Sequence, residues 1–183
     1  MMDQFREEVV SKHNKGMQTV AYIAANLLWF FLAVYAFLAF QSITMSCGQG
    51  QFDAISLVFF AVPAGLAVLI FLNKDKVRTE YEYTFTNGQM DFAQVFNNKK
   101  RKNLGTMNIK NLEACGLVSS GSFNRYINMQ GIKRTNWFLN RDAELLYFYF
   151  QKDNQKRIII IEPSEEMTGL IKRSLPQGVW QNN

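Results

Sequence analysis

Histidine is nearly missing from this sequence: one residue, His13, in 183. That removes the commonest general base and the commonest metal ligand. Cysteine is almost as scarce. Cys47 and Cys115 cannot build a disulfide framework, and neither has the spacing of a metal site. Lysine and arginine are absent from residues 20–72, where Asp53 is the one charge. Apolar residues are not lacking. At 48% hydrophobic and 14% aromatic the chain is not disordered. The net charge of +5 is uneven: residues 1–19 carry three basic and three acidic side chains, and residues 73–183 carry seventeen and eleven.

The uncharged block contains two long apolar runs, Val20–Phe40 and Phe52–Leu72. At ~1.5 Å per residue each matches the ~30 Å of a bilayer core. The chain has no mantle large enough to bury two such helices, so they read as transmembrane spans. The first run is too long for a signal-peptide core and no Ala-x-Ala site follows it. Thr44-Met45-Ser46-Cys47 is a poor lipoprotein site, deep in the chain and without a leading Leu. Arg6, Lys12 and Lys15 precede span one, Lys74, Lys76 and Arg78 follow span two, and the connector Gln41–Gln51 has no basic residue. Positive flanks stay inside, so both termini are cytoplasmic. Cys47 is then outside, and Cys115 is a small cytosolic core residue.

No ionisable residue lies mid-span, which excludes a transport role. Asn26 is expected to bond the partner span, for ~0.6 kcal/mol. Pro63 marks a kink, and Gly65 allows close helix approach. Ala21, Ala24 and Ala25 would pack on Ala61 or Gly65. Residues 1–19 form a short N-terminal segment. Within it Asp3–His13 reads as an amphipathic helix with Phe5 and Val9 on one face.

Residues 73–79 form a linker, residues 80–176 a cytosolic domain and residues 177–183 a tail. Glu80–Thr86 alternates as a strand, Asn87-Gly88 is a type I′ hairpin turn, and Gln89–Phe96 returns. Asn97–Lys100 turns again. Lys102–Met107 and Ile109–Val118 are weaker strands, Ser119–Arg134 a long connection and Asn136–Leu139 a short strand. Glu144–Gln151 and Lys156–Ile161 are strong strands around a polar turn. The core face includes Tyr81, Tyr83, Phe85, Phe92, Phe148, Phe150, Ile159 and Ile161. Ser164 caps a last helix carrying Met167, Leu170, Ile171 and Leu175 on one stripe, closed by Lys172, Arg173 and Pro176. The fold class is an α+β membrane protein. A two-helix transmembrane hairpin precedes a small antiparallel β-barrel or sandwich of about seven strands, with the C-terminal helix plugging its open end.

Two stretches carry a resemblance: Tyr81-Glu82-Tyr83-Thr84-Phe85-Thr86-Asn87-Gly88, and Glu162-Pro163-Ser164-Glu165-Glu166-Met167 within KRIIIIEPSEEMTGLIKRSLP. They resemble the strands and closing helix of bacterial pleckstrin-homology-like (PH-like) domains. The arrangement as a whole is similar to small two-span bacterial membrane proteins of unknown function with a cytoplasmic PH-like domain. The resemblance implies a multi-pass protein of the bacterial cytoplasmic membrane and carries no active residues with it.

Catalysis finds no support. Gly116–Ser122 lacks the Lys of a phosphate loop and precedes no recognisable helix. No cofactor, metal or nucleic acid is expected. The sharpest feature is Lys99-Lys100-Arg101-Lys102. Counting strand ends from the short linker puts this turn toward the membrane and adds Arg125, Lys133, Arg134, Lys152, Lys156 and Arg157 to the same side. Such a face would meet anionic lipid headgroups at ~1 kcal/mol per charge near the leaflet. The leading reading is a non-catalytic recognition or scaffold domain at the inner leaflet. The alternative is a subunit of a membrane complex, or a homo-oligomer. There a protein partner would bind a strand edge or the 119–135 connection, with Tyr126, Trp137 and Phe138 as contacts.

Overall fold

The computed structural model describes residues 4–51 and 53–182. Residues 1–3, which include the start of the expected N-terminal helix, lie outside them, as do Phe52, the expected start of span two, and Asn183. The chain divides into two units, Asn14–Arg78 and the rest.

The first unit is a helix pair, α1 (Lys15–Gly48) and α2 (Ala54–Asn73). Each start is fixed by a side-chain cap. Asn14 Oδ1 accepts from the Met17 N–H at 3.0 Å, and Asp53 Oδ1 accepts from the Ile55 N–H at 3.0 Å. Both helices are long and apolar enough to cross a bilayer. Phe31 is 65% exposed and Phe37 60%, whereas only Ala36 and Ala67 are buried. A surface this apolar is compatible with insertion into hydrocarbon. Ring contacts of Trp29 with Phe71 (5.5 Å) and Phe40 with Phe60 (5.7 Å) set the antiparallel register. The small residues at the crossing are Ala33, Ala36, Ala64 and Ala67. They replace the expected Ala21, Ala24 and Ala25, which lie beyond the end of α2. Gly65 makes no close approach, since a Cβ there would meet nothing within 4 Å. Asn26 bonds across the pair to a cation: its Oδ1 accepts from Lys74 Nζ at 2.8 Å. That ammonium also sits 4.7 Å from the Trp29 ring centre and 4.8 Å from that of Phe71.

The second unit begins before the helices. Phe5–Val10 is a strand, β1, and not the expected helix. Phe5, Glu7 and Val9 are exposed while Arg6, Glu8 and Val10 are half-buried. The Phe5/Val9 spacing fits a helix stripe, but it fits one face of a strand equally well. The partner decides, and β1 pairs antiparallel with β2 (Thr79–Thr86), joining Val10 to Tyr81 and Phe5 to Thr86. The helix pair is therefore an insertion between two neighbouring strands of one sheet. β3 (Gln89–Phe96) and β4 (Lys100–Asn108) complete that sheet in the order β1-β2-β3-β4. Asn87 and Gly88 both have positive φ, as the type I′ turn requires.

The second sheet uses β5 (Ala114–Leu117), β6 (Lys133–Trp137), β7 (Leu146–Lys152), β8 (Gln155–Ile161) and β9 (Trp180–Gln181), in the order β6-β8-β7-β5-β9. Both sheets are open, so the domain is a sandwich and the closed barrel is excluded. The core between them joins Tyr83, Phe85 and Phe92 to Phe148, Ile159 and Ile161, with Tyr81 and Phe150 partly buried at its margin. The last helix, α4 (Glu165–Ser174), adds Met167 and Ile171, both fully buried. Ser164 caps it as expected, its Oγ accepting from the Met167 N–H at 3.1 Å.

The 119–135 connection is not structureless. It carries α3 (Gly121–Ile127), which lays Tyr126 against Tyr147, Tyr149, Ile158 and Ile160 on the outer face of the second sheet. β7 and β8 are thus covered on both faces, which is why they read as unbroken apolar runs. The expected strand at 136–139 begins earlier, at Lys133, and runs parallel to β8. The tail is not loose either, because β9 pairs parallel with β5. Gly116 makes that possible: a Cβ there would stand 2.9 Å from the Gln181 carbonyl oxygen.

Candidate functional site

The run Lys99–Lys102 occupies the β3–β4 turn and the exposed start of β4. Thr79 pairs with Phe96, Phe96 with Lys100, and Val10 with Tyr81. This is therefore the end of the sheet where the chain leaves toward α1 and returns from α2. Arg101 is partly neutralised, its Nη2 standing 2.8 Å from Glu82 Oε2.

The other basic candidates do not join this group. Lys133 and Arg134 open β6, Lys156 and Arg157 open β8, and the parallel register sets Lys133 beside Arg157. All four lie on the second sheet, toward its β7–β8 turn. The opposite end of that sheet, at Trp137, Leu146 and Ile161, is the one tied to the segment entering α1. There Asn140 Nδ2 donates to the Ser11 carbonyl at 3.0 Å, and its Oδ1 accepts from the His13 N–H at 2.9 Å. Alternate counting of strand ends loses its footing where β6 runs parallel and the preceding segment crosses the sheet over α3. Arg134 also donates to the Ile127 carbonyl at 2.5 Å, and Arg125 stacks 5.5 Å from the Tyr126 ring centre.

The aromatic candidates divide as well. Tyr126 is buried, with its ring 4.7 Å from that of Tyr149, and Phe138 packs against the same outer cluster. Trp137 is half-buried and tilted over Phe92 at 4.8 Å. It lines a cleft of about 360 Å³ where the two open sheets part.

A polar knot beside the entry to α1 was not legible in the residue types. Glu162 is buried, and its Oε2 accepts from the N–H groups of Leu139 (3.0 Å) and Asn140 (2.9 Å). Its Oε1 accepts from Asn140 Nδ2 at 2.6 Å. The Tyr83 hydroxyl donates to the Trp137 carbonyl and accepts from the Glu162 N–H at 3.3 Å. Burial pushes the Tyr83 hydroxyl well above the ordinary tyrosine range. These groups satisfy one another and fasten the segment from Ser11 to His13; they present no reacting group.

Among the described residues of these surfaces, no nucleophile is set beside a base. Burial pushes the Cys115 thiol far up, so it stays protonated and inert. Among the described residues no cluster of His, Cys, Asp and Glu could hold a metal ion. What the arrangement presents is an exposed basic turn and an aromatic cleft. No curated protein and no solved structure matches the chain. A family model covers residues 2–181, almost all of it, in keeping with the sandwich and its closing helix: the chain belongs to the bacterial PH-like domain family DUF6106.

Proposed function

We propose that this chain is a membrane-anchored, non-catalytic recognition module. α1 and α2 span the bacterial cytoplasmic membrane with both termini inside, and the PH-like domain reads the anionic inner leaflet through Lys99–Lys102. One observation carries the reading. The basic turn lies at the sheet end where both connections to the helix pair are made, by the pairing of Thr79, Phe96 and Lys100. On this reading the exposed lysines meet lipid, where each charge near the leaflet is worth ~1 kcal/mol.

The test uses the full chain with Cys47 replaced by Ser and a fluorophore on Lys100→Cys, in nanodiscs carrying a headgroup-located quencher. Discs containing anionic lipid should quench the label more than neutral discs. Salt should remove the difference as the Debye length shrinks. Equal quenching in both lipids would leave the turn as a solvated hairpin and reject the reading.

A further inference from the structure

The cleft between the open sheets is separate from the basic turn. One wall is β4 from Leu104 to Asn108, the other is Gln151 and Lys152 with Arg157, and the floor is Phe92, Trp137, Phe150 and Ile159. Two features keep it open. β4 ends its sheet, so no strand bridges to β6 or β8. Gly105 stands opposite Phe92 with φ 150° and no side chain, and a Cβ there would meet nothing within 4 Å.

Its chemistry is two-sided. The floor is aromatic and aliphatic, and Trp137 keeps part of its face accessible. The cations on its rim are Lys152 and Arg157, with Lys133 next to Arg157 in register. Among the described residues lining the cleft none is acidic. Arg157 touches one exposed acid outside it, with Nη2 3.9 Å from Asp153 Oδ2. Arg157 is only partly buried and lines the apolar hollow, so its guanidinium can offer charge-assisted hydrogen bonds to an anion there. The hollow also falls within the ~300–1,000 Å³ range of small-molecule sites.

Strand addition by a peptide fits less well. The free edge of β4 starts with Lys100, Arg101 and Lys102, and its register is broken by a bulge opposite Phe92 and Ala93. Charges and bulges on an edge discourage pairing.

We propose that this cleft binds a small amphipathic organic anion, its apolar body on Phe92, Trp137 and Phe150 and its carboxylate, sulfonate or phosphate on Arg157 and Lys152. The site goes beyond leaflet recognition and uses none of Lys99–Lys102.

The probe is 2-naphthalenesulfonate, titrated calorimetrically into the full chain in neutral-lipid nanodiscs, with empty discs subtracted. One saturable site is expected. Arg157→Gln with Lys152→Gln should weaken it by ~10-fold or more, because each change removes a charge-assisted hydrogen bond. Lys152→Gln alone, at an exposed hairpin position, should weaken it with the fold unchanged. Arg157→Lys should retain most of the affinity. Replacing Lys99–Lys102 by Gln should leave it intact even where that variant abolishes leaflet recognition. The proposal is overturned by uptake no greater than that of empty discs, by equal binding of uncharged 2-naphthol, or by unchanged affinity in the double variant. It is equally overturned if an extended acidic peptide binds and the sulfonate does not.

Discussion

Glu8 of the first strand caps the last helix. Its carboxylate accepts from the Ser164 hydroxyl and, at 3.0 Å, from the Ser164 N–H, while Arg6 Nε donates to it at 2.9 Å. Arg6 also pairs with Glu166, in the first turn of α4. The two ends of the sequence are thereby joined by a negative group at the positive end of a helix dipole. Glu8→Ala should cost the domain about 1–2 kcal/mol, the usual loss for a cap with its helix-end charge. Chemical denaturation of the full chain in detergent, followed by far-ultraviolet circular dichroism, measures it. An unchanged midpoint would show that Ser164 caps α4 unaided.

Tyr83 gives a prediction with a pH signature. Tyr83→Phe leaves the Trp137 carbonyl and the Glu162 N–H without that partner, at about 1–3 kcal/mol for buried groups. The folded hydroxyl titrates above its ordinary value of 10.0 because burial disfavours the phenolate. The unfolded chain therefore releases this proton first. Stability should be level below about pH 10 and fall as pH rises above it. Tyr81, Tyr147 and Tyr149 are raised by burial too, so the Phe variant should show a shallower alkaline fall and not a flat line. Equal slopes in both proteins would contradict the burial argument.

The insertion predicts which pieces fold. Residues 79–182 alone lack β1 and expose the edge of β2, an invitation to self-pairing. Joining residues 4–13 to residue 79 by a short Gly/Ser linker restores it, since Val10 and Tyr81 are already neighbours. The joined form should be monomeric in size-exclusion chromatography and the shorter fragment aggregated or less stable. A monomeric short fragment of equal stability would mean β1 contributes nothing.

The helix at the other end is testable inside the intact chain. Met167 is fully buried between the sheets, and Met167→Ala should cost about 2–5 kcal/mol by removing its contacts and leaving a cavity. Thermal unfolding of the full chain reports it, and a loss below about 1 kcal/mol would show that α4 can settle into the space.

Topology needs a better reporter than the native thiols. Cys47 is exposed and should react with a membrane-impermeant maleimide in intact cells. Cys115 is buried and would stay unlabelled on either side of a membrane, so its silence says nothing. Lys110→Cys, an exposed position, should label only after permeabilisation. Labelling of that position in intact cells would reverse the assigned orientation.

Features set by near neighbours were legible in the sequence. Asn87-Gly88 dictates its own turn, β7 and β8 show their burial as apolar runs, and Ser164 announces α4. The remainder depends on residues far along the chain. Nothing within Phe5–Val10 reveals that β2 will pair with it some seventy positions later. The parallel alignment of β6 with β8 and the return of Trp180 to β5 are likewise invisible locally. The candidate surfaces followed suit. Lys99–Lys102 stood out as a contiguous run, whereas the cleft draws Phe92, Trp137 and Arg157 from three separate strands.

The insertion also fixes an order of events during synthesis. β1 leaves the ribosome before either helix, and β2 only after both. The four-stranded sheet cannot be completed until both hydrophobic segments have been made. Until then the pairing edge of β1 has no mate, and Glu8 waits longer still, for Ser164. Completion of the four-stranded sheet thus reports that both helices have already been synthesised.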